Sequence, residues 1–426
     1  MFATMSGCAS LIWVCEVDGT ARPIGGREEK EMWSHLTRLV GAAAMAAAMT
    51  LPVQAQDNAP IKIGVPLPLT GPLAGAGTQL QWGIEYAAKQ ANDAGGVLGR
   101  KLELIIEDTK GEPNTSATVA AKLGGQDKVD AVVGGFGSTS DFALLSAIQR
   151  YNTIFVHPGS SSVRLEENFG KNPWYFHVYI WDYHRQKAAV NFFKSVPDLK
   201  TVAIAYEDKL YGTDGSNFTQ KFAKEAGLEV VMNEPFRAGT PDFSPILNRV
   251  KTLDPDVLFV IGYSGDNLQV ARQALQLGIK PKLIVTQGAG EKRSDYGDAG
   301  DNVVVLDLWS SKQKTPGLAE WVEKANIARG GEVVSTAVQG YTAMKTLIDA
   351  ATAVGKWDRD AIIAKLSEMT FDTPYGPVKY GPSDLGGLHQ LITEKTMIAV
   401  QYQPNNEFNV VWPADKAAAE LVYPAR

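Results

Sequence analysis

The sequence is poor in cysteine, and this limits the chemistry open to the protein. Only Cys8 and Cys15 occur in 426 residues, and both precede the point at which the N-terminus is predicted to be processed. The mature chain is therefore expected to have no disulfide, no thiol nucleophile and no cysteine metal site.

An excess of basic residues and a membrane-spanning apolar run are missing too. The formal net charge is -6 at pH 7, which argues against nucleic acid as a partner. The uncharged run from Val40 to Leu51 is too short to cross a bilayer. The composition is that of an ordinary soluble globular protein, and the length favours two domains over one.

Several enzyme motifs are also absent. There is no Gly-x-Ser-x-Gly elbow, no phosphate-binding loop and no His-Glu-x-x-His. The mature chain has four histidines, and His157 is the one placed to serve Ser138 as a base. A structural role for His157 is the stronger alternative. The sequence therefore predicts a protein that is not an enzyme, with no catalytic residue, no metal ligand and no cofactor.

The N-terminus has the features of a secretory signal in their usual order. Arg38 precedes the run from Val40 to Leu51, and Val53-Gln54-Ala55 fits the small-x-small cleavage pattern. Cleavage is predicted after Ala55, with export to the periplasm, and a buried Ala-rich helix is the alternative. Signal peptides rarely carry a leader as mixed as residues 1–31, which points to Met32 as the translation start.

From Ile61 onward, apolar strand-like runs alternate with helical patterns. The predicted strands begin at Ile61, Leu102, Ala131, Thr153, Thr201, Leu228, Asp256, Leu283 and Val303. Such strand-helix units indicate parallel sheets covered on both faces, here in two α/β halves in series. Gly71 to Gly77 is predicted to be a flexible turn, and Thr396 to Trp412 a terminal hairpin.

Two small polar loops follow adjacent predicted strands. Ser138-Thr139-Ser140 follows the strand from Ala131 to Gly134, and Pro158 to Ser162 follows the strand from Thr153 to Val156. The carboxyl ends of neighbouring parallel strands meet at one crevice, where hydroxyls and helix-start N–H groups suit an anion. The alternative is that these serines only cap helices.

An aromatic passage, Trp174 to Tyr183, separates the two halves. If the chain crosses between lobes near Tyr179 to Asp182, Trp181 would lie between the lobes. Ordinary packing in a core is the alternative, because aromatic residues commonly fill both kinds of site.

Several short segments occur in an order typical of one family. They are Ile61 to Gly64, Leu69 to Pro72, Ala94 to Gly99, Gly137 to Ser140, Pro158 to Ser161, Tyr206 to Gly212 and Ala238 to Phe243. The match to that family rests on the order of these segments along the mature chain. The chain thus resembles periplasmic solute-binding proteins of branched-chain amino acid transporters, the leucine/isoleucine/valine-binding family.

The resemblance implies a two-lobed α/β fold, the type I periplasmic binding fold, with a doubly wound, mainly parallel sheet in each lobe and three crossovers. After a leader and signal peptide (1–55), lobe one would comprise residues 56–179 and 311–391, and lobe two residues 180–310 and 392–426. Such a protein closes on a small-molecule ligand and, as a monomer, delivers it to ABC permease subunits in the inner membrane. A periplasmic ligand sensor with the same fold is the alternative.

The resemblance also implies the binding residues. Ser138, Gly159 and Ser161 of lobe one would hold the ligand's carboxylate. Tyr211 and Tyr263 would reach the ligand from lobe two. Outside the resemblance, a lone tyrosine in such a loop is more often a packing residue.

Gln287 occupies the position at which amino-acid-binding members usually offer an acidic side chain to the ligand's ammonium. An amide cannot neutralise a desolvated cation, so the ligand is expected to lack an amine. The alternative is that Asp182 or Glu291 replaces the missing acid.

A second departure from the family concerns the room for the ligand. Ala76 stands where leucine-binding relatives have a bulkier aromatic side chain, while Trp82, Tyr179 and Trp181 would supply flat apolar walls. The expected ligand is therefore a carboxylate or amide with an apolar or aromatic body, in place of leucine.

Overall fold

The computed structural model describes residues 59–288, 293–301, 303–403 and 408–424. The predicted signal peptide, its cleavage after Ala55, the proposed start at Met32 and Glu291 lie outside these residues. None of the described helices combines the length and the apolar composition that a membrane crossing requires.

The first sheet contains five parallel strands in the order β2-β1-β3-β4-β5. Its strands are β1 (Ile61–Leu67), β2 (Leu102–Asp108), β3 (Ala131–Val133), β4 (Ile154–His157) and β5 (Tyr175–His177). The helices between them are α1 (Ala74–Asp93), α2 (Pro113–Ala121), α3 (Ser138–Ile148) and α4 (Val163–Phe169). Both faces of β3 and β4 are buried, as expected for a parallel sheet covered by helices on each side.

The second sheet contains seven strands in the order β14-β13-β10-β9-β8-β6-β7. Its strands are β6 (Thr201–Glu207), β7 (Glu229–Phe236), β8 (Val257–Ile261), β9 (Leu283–Gln287), β10 (Val304–Asp307), β13 (Ile398–Tyr402) and β14 (Phe408–Trp412). The first five are parallel, and the predicted terminal hairpin, β13 with β14, adds an antiparallel edge. The helices in this part are α5 (Asp182–Ser195), α6 (Leu210–Glu225), α7 (Ser244–Leu253), α8 (Ser264–Gln276) and α9 (Arg293–Tyr296).

The chain then returns to the first sheet and adds further helices and a hairpin there. These elements are α10 (Leu318–Arg329), α11 (Ser335–Val354), α12 (Arg359–Glu368) and the hairpin of β11 (Thr370–Thr373) and β12 (Gly376–Lys379). Helix α11 packs along α1. A Cβ atom at Gly83 would lie 2.0 Å from the carbonyl oxygen of Ala337, so glycine lets the two backbones touch.

The chain passes three times between the two lobes that these sheets form. The passages run from β5 to α5, from β10 to α10, and from β12 to β13. The predicted two-lobed α/β fold with three crossovers is thereby confirmed. The lobe boundaries predicted at residues 179, 310 and 391 stay predictions.

The prediction of a flexible turn over Gly71 to Gly77 was wrong in its second half, because α1 already begins at Ala74. Gly71, with φ +80°, makes the turn. Gly77 lies within the helix, where a Cβ atom would approach the Pro68 carbonyl oxygen to 1.9 Å. This glycine therefore serves close packing, which the sequence pattern does not distinguish from turn formation.

Candidate functional site

A small cavity lies where loops from both sheets meet. From the first sheet and the crossing that follows it, the lining residues are Phe136, Gly137, Ser138, Ser160, Ser161 and Tyr179. From the second sheet's lobe they are Arg185, Tyr211, Gly262, Tyr263 and Gly288. Most follow the carboxyl ends of strands, which is where open α/β sheets bind their ligands.

Several helices begin at this cavity. Ser138 is the first residue of α3, Tyr211 the second of α6, and Tyr263 directly precedes α8. The N–H groups at a helix start lack intrahelical partners and carry partial positive charge. The backbone therefore favours an anionic ligand before any side chain is considered.

Four of the seven predicted ligand-binding residues line the cavity, namely Ser138, Ser161, Tyr211 and Tyr263. Gly159 is not among the described lining residues. Its carbonyl oxygen lies 3.3 Å from the ring nitrogen Nε2 of His177, so it helps to hold the loop.

Trp181 also lies behind the cavity wall, and the alternative of core packing describes it better. Its ring stacks on His177 with centroids 3.6 Å apart and an angle of 12° between the planes. Burial together with the neighbouring His157 lowers the pKa of His177 well below its ordinary value, so this stack is uncharged near neutral pH. Trp181 therefore supports the wall formed by the Pro158–Ser162 loop.

Gln287 is buried directly behind Tyr211. The Tyr211 hydroxyl donates to Gln287 Oε1 at 2.7 Å, and Gln287 Nε2 donates to Gln186 Oε1 at 2.8 Å. Asn267 donates to the carbonyl oxygen of Gln287 at 3.0 Å. Gln287 thus acts on the cavity through Tyr211 in this structure.

Arg185 is a cavity residue that the sequence analysis did not find. It lies in α5, a helix that the aromatic passage obscured, and only 4% of its surface is exposed. Its guanidinium carbon is 5.5 Å from the ring centre of Tyr179 and 5.8 Å from that of Tyr211. Among the described residues it donates one hydrogen bond, from Nη2 to the Gly288 carbonyl oxygen at 3.2 Å. A buried cation thus faces a small cavity with most of its five N–H donors unused.

The cavity walls are aromatic. The ring of Tyr263 packs against Tyr211 and Phe136, with centroids 5.2 and 5.9 Å apart. Tyr179 lines the cavity as expected, but Trp82 does not and stacks on Tyr86 in another cluster.

The space near Ala76 belongs to a neighbouring cavity of about 720 Å³. Phe136 and Tyr263 line both cavities and form the wall between them. The small side chain at position 76 therefore enlarges this neighbouring space and leaves the inner cavity unchanged.

None of the described residues that line the inner cavity carries a carboxylate. Asp182 is buried nearby as the first residue of α5, and its backbone N–H donates to the Ser161 carbonyl oxygen at 2.7 Å. Burial raises the pKa of Asp182 to about 7, although the charge of Arg185 and the Ser161 hydroxyl act against the shift. Burial likewise raises the pKa of Glu207, the last residue of β6, to about 7.

His157 is not placed to activate Ser138. Its Nδ1 atom is 2.7 Å from the Tyr175 hydroxyl, and its Nε2 atom is 2.9 Å from Asp141, which also accepts from the Ser160 hydroxyl at 2.6 Å. Both ring nitrogens are therefore engaged within a buried network. Because Ser160 has φ +62°, the network holds a strained loop in place.

The alternative that the serines cap helices holds for Ser162, whose hydroxyl oxygen accepts from the Arg164 N–H at 3.3 Å. Ser162 also donates to Asp214 of α6, so it joins the two lobes. Ser138 is not a cap, since Gly137 holds the capping position of α3. The Ser138 hydroxyl oxygen accepts from the Ser162 N–H at 3.3 Å and lines the cavity.

Comparison with known proteins agrees with this architecture. The sequence profile of the family described as periplasmic binding protein matches residues 60–404. The Leu/Ile/Val-binding protein homolog 7 of Brucella suis biovar 1 is 28% identical over 411 residues, which cover 92% of this chain and 100% of that protein.

Two solved structures share the fold. The branched-chain amino acid transporter substrate-binding protein LivJ of Streptococcus pneumoniae, in complex with isoleucine, has a TM-score of 0.72 at 24% identity, covering 86% of this chain and 100% of that one. The solute-binding protein of an ABC transporter from R. palustris, in complex with benzoate, has a TM-score of 0.74 at 20% identity, covering 85% and 97%. This chain therefore belongs to the periplasmic binding protein family, whose members are extracytoplasmic solute-binding proteins.

Proposed function

We propose that this protein is the substrate-binding protein of an ABC importer and that its ligand is a small carboxylate without an ammonium group. The observation that carries the proposal is Arg185, a buried guanidinium at the cavity with one described hydrogen bond. Asp182 and Asp307 lie near this guanidinium, but most of its N–H donors are unused, so a ligand that accepts hydrogen bonds is expected to bind there.

A carboxylate fits this place by charge and by geometry. The guanidinium is planar and can donate two parallel hydrogen bonds to a carboxylate, which are stronger than hydrogen bonds between neutral groups. The hydroxyls of Ser138 and Ser161 line the same cavity from the other lobe and would complete the anion site. We thus assign the carboxylate to Arg185 together with the serines that the sequence analysis proposed.

An ammonium group has no counterpart among the described lining residues, which include no acid. Gln287 is buried, and its amide is engaged with Tyr211 and Gln186. Asp182 has a pKa near 7 and lies close to Arg185, so it is a weak partner for a second cation. An amino acid would therefore bring an uncompensated positive charge into a site that already holds one.

The body of the ligand is expected to be flat or branched and apolar. The rings of Phe136, Tyr179 and Tyr263 supply walls that suit aromatic or aliphatic groups. The R. palustris relative, whose structure contains benzoate, supports a body of this kind.

In this proposal the protein is a monomer cleaved after Ala55, and it delivers the ligand to ABC permease subunits in the inner membrane. The interlobe hydrogen bond from Ser162 to Asp214 supports a closed state that encloses the ligand. No hydrolytic or transfer activity is expected, since His157 is engaged away from Ser138.

A thermal-shift screen with matched pairs tests the proposal. Each pair compares an amino acid with the same acid lacking the amine: leucine with 4-methylpentanoate, valine with 3-methylbutanoate, and phenylalanine with 3-phenylpropanoate. Benzoate and phenylacetate extend the series. A ligand at about a hundred times its dissociation constant stabilises by about 2.7 kcal/mol, which a melting curve resolves.

We expect stabilisation by acids without the amine and little effect of the amino acids. Stabilisation by leucine or valine alone would contradict the proposal. Loss of that stabilisation in Asp182→Asn or in Glu291→Gln would then identify the acid that holds the amine.

A further inference from the structure

The hydroxyl of Tyr211 belongs to a chain of side-chain hydrogen bonds that leads away from the cavity. Tyr211 Oη donates to Gln287 Oε1 at 2.7 Å, and Gln287 Nε2 donates to Gln186 Oε1 at 2.8 Å. Gln287 and Gln186 are fully buried, so their polar atoms can find partners only within the protein. The chain is therefore a structural feature of the cavity wall.

The chain of hydrogen bonds continues at Gln186. Its oxygen accepts from Gln287, and the Thr219 hydroxyl, which donates to the Gly215 carbonyl oxygen at 2.8 Å, lies 3.2 Å from it. With Gln287 Nε2 directed toward Gln186, Gln287 Oε1 faces Tyr211 and accepts its hydrogen.

A tyrosine hydroxyl has one hydrogen to donate, and here it is already used. What Tyr211 can still offer a ligand is an oxygen acceptor, and no described residue donates to this oxygen. The oxygen belongs to the ring over which the Arg185 guanidinium lies, with its carbon 5.8 Å from the ring centre. A residue with a free acceptor and a buried cation thus line the same cavity.

We propose that the ligand is a hydroxy acid, whose carboxylate binds Arg185 while a hydroxyl on the adjacent carbon donates a hydrogen bond to Tyr211 Oη. This inference rests on the proposed function, since it assumes a carboxylate at Arg185. A hydroxyl is the donor of choice because it is neutral, and no carboxylate is described in the cavity lining to balance an ammonium. Gln287 and Gln186 are then positioning residues that fix how Tyr211 presents its oxygen.

The experiment compares hydroxy acids with the same acids lacking the hydroxyl, by calorimetry at neutral pH. The pairs are mandelate with phenylacetate and 2-hydroxy-4-methylpentanoate with 4-methylpentanoate. One net hydrogen bond corresponds to a preference of about twofold to tenfold for the hydroxy acid. In Tyr211→Phe the preference is expected to fall to about one, with the affinity for the deoxy acid nearly unchanged.

Two further variants separate positioning from general damage. Gln287→Met removes the acceptor that holds the Tyr211 hydrogen and should likewise abolish the preference while the deoxy acid still binds. Tyr380→Phe is the matched control, because Tyr380 is a buried tyrosine outside the cavity lining, with its hydroxyl 3.2 Å from that of Thr346. It should keep the preference.

The outcomes distinguish the two proposals. If none of the acids binds to the native protein, the proposed function fails and the inference with it. If both members of a pair bind equally, or if the preference survives in Tyr211→Phe, the hydroxy-acid inference is overturned while the carboxylate proposal stands. If Tyr211→Phe binds neither acid, the Gln287→Met variant decides. Loss of the preference for the hydroxy acid in that variant supports the inference, and its persistence overturns the inference.

Discussion

Replacing Arg185 by methionine is the sharpest single test of the cavity. Methionine keeps an unbranched apolar side chain between the rings of Tyr179 and Tyr211 but removes the charge and all donors. If the guanidinium forms two hydrogen bonds to the ligand's carboxylate, each bond to a charged group contributes about 1.5 to 3 kcal/mol. The affinity should therefore fall by roughly two to four orders of magnitude.

The stability of the ligand-free protein should change less than the affinity. Arg185 is a buried cation with one described hydrogen bond, so its removal relieves a desolvation cost. The nearby Asp182 and Asp307 lose the attraction of its charge, and the Gly288 carbonyl oxygen loses its donor, which offsets this gain. We expect a melting temperature close to that of the native protein.

Isothermal calorimetry with the tightest acid from the matched-pair screen, together with a melting curve without ligand, measures both quantities. Arg150→Met is the matched control, because Arg150 is exposed and lies over the ring of Tyr151 at the end of α3. The reasoning would be refuted if Arg185→Met bound the acid within about threefold of the native protein. A large drop in melting temperature with unchanged affinity would show that Arg185 is a structural cation.

Three further predictions concern the serine loop, closure and pH. Ser138→Ala should lower the affinity roughly tenfold to a hundredfold with little loss of stability, since its hydroxyl is proposed to donate to the ligand and does not cap a helix; calorimetry with an unchanged affinity would contradict this. Ligand binding should reduce the radius of gyration in small-angle scattering, and Asp214→Ala, which removes the interlobe partner of Ser162, should weaken that closure. An unchanged radius at saturation would exclude a hinge. Because burial raises the pKa values of Asp182 and Glu207 to about 7, well above the values of about 4 in an unfolded chain, the folded state holds protons that the unfolded state releases. The free energy of unfolding of the ligand-free protein should fall as the pH rises from about 4 to about 7, and the double variant Asp182→Asn, Glu207→Gln should flatten this dependence in melting curves.

Much of the fold could be predicted because its signals are local. Alternating apolar runs and helical patterns place β1, β6 and β8 within a residue or two of their observed bounds. The polar loops after β3 and β4 could be assigned to one cavity because neighbouring parallel strands end at the same edge. Ser138 and Ser161 were found from this rule and from a resemblance that covers the mature chain.

The sequence was less informative where a residue's role depends on its neighbours. Trp181 and Gly159 lie in segments that the sequence assigned to the binding site. In the structure both lie behind the cavity wall, against His177. Gln287 could be recognised as a departure from the family, but its hydrogen bond to Tyr211, 76 residues earlier in the chain, could not be foreseen.

Sequence alone predicted the order of strands and helices, the export signal, the strand-end loops and, on cleavage after Ala55, a mature chain without cysteine. Tertiary structure alone decided that Arg185 reaches the cavity, that His157 is paired with Asp141 and Tyr175, and that the Tyr211 hydroxyl is bonded to Gln287. The physical reason is that backbone periodicity is a property of successive residues. Side-chain partners, burial and pKa values depend on which distant segments the packing brings together.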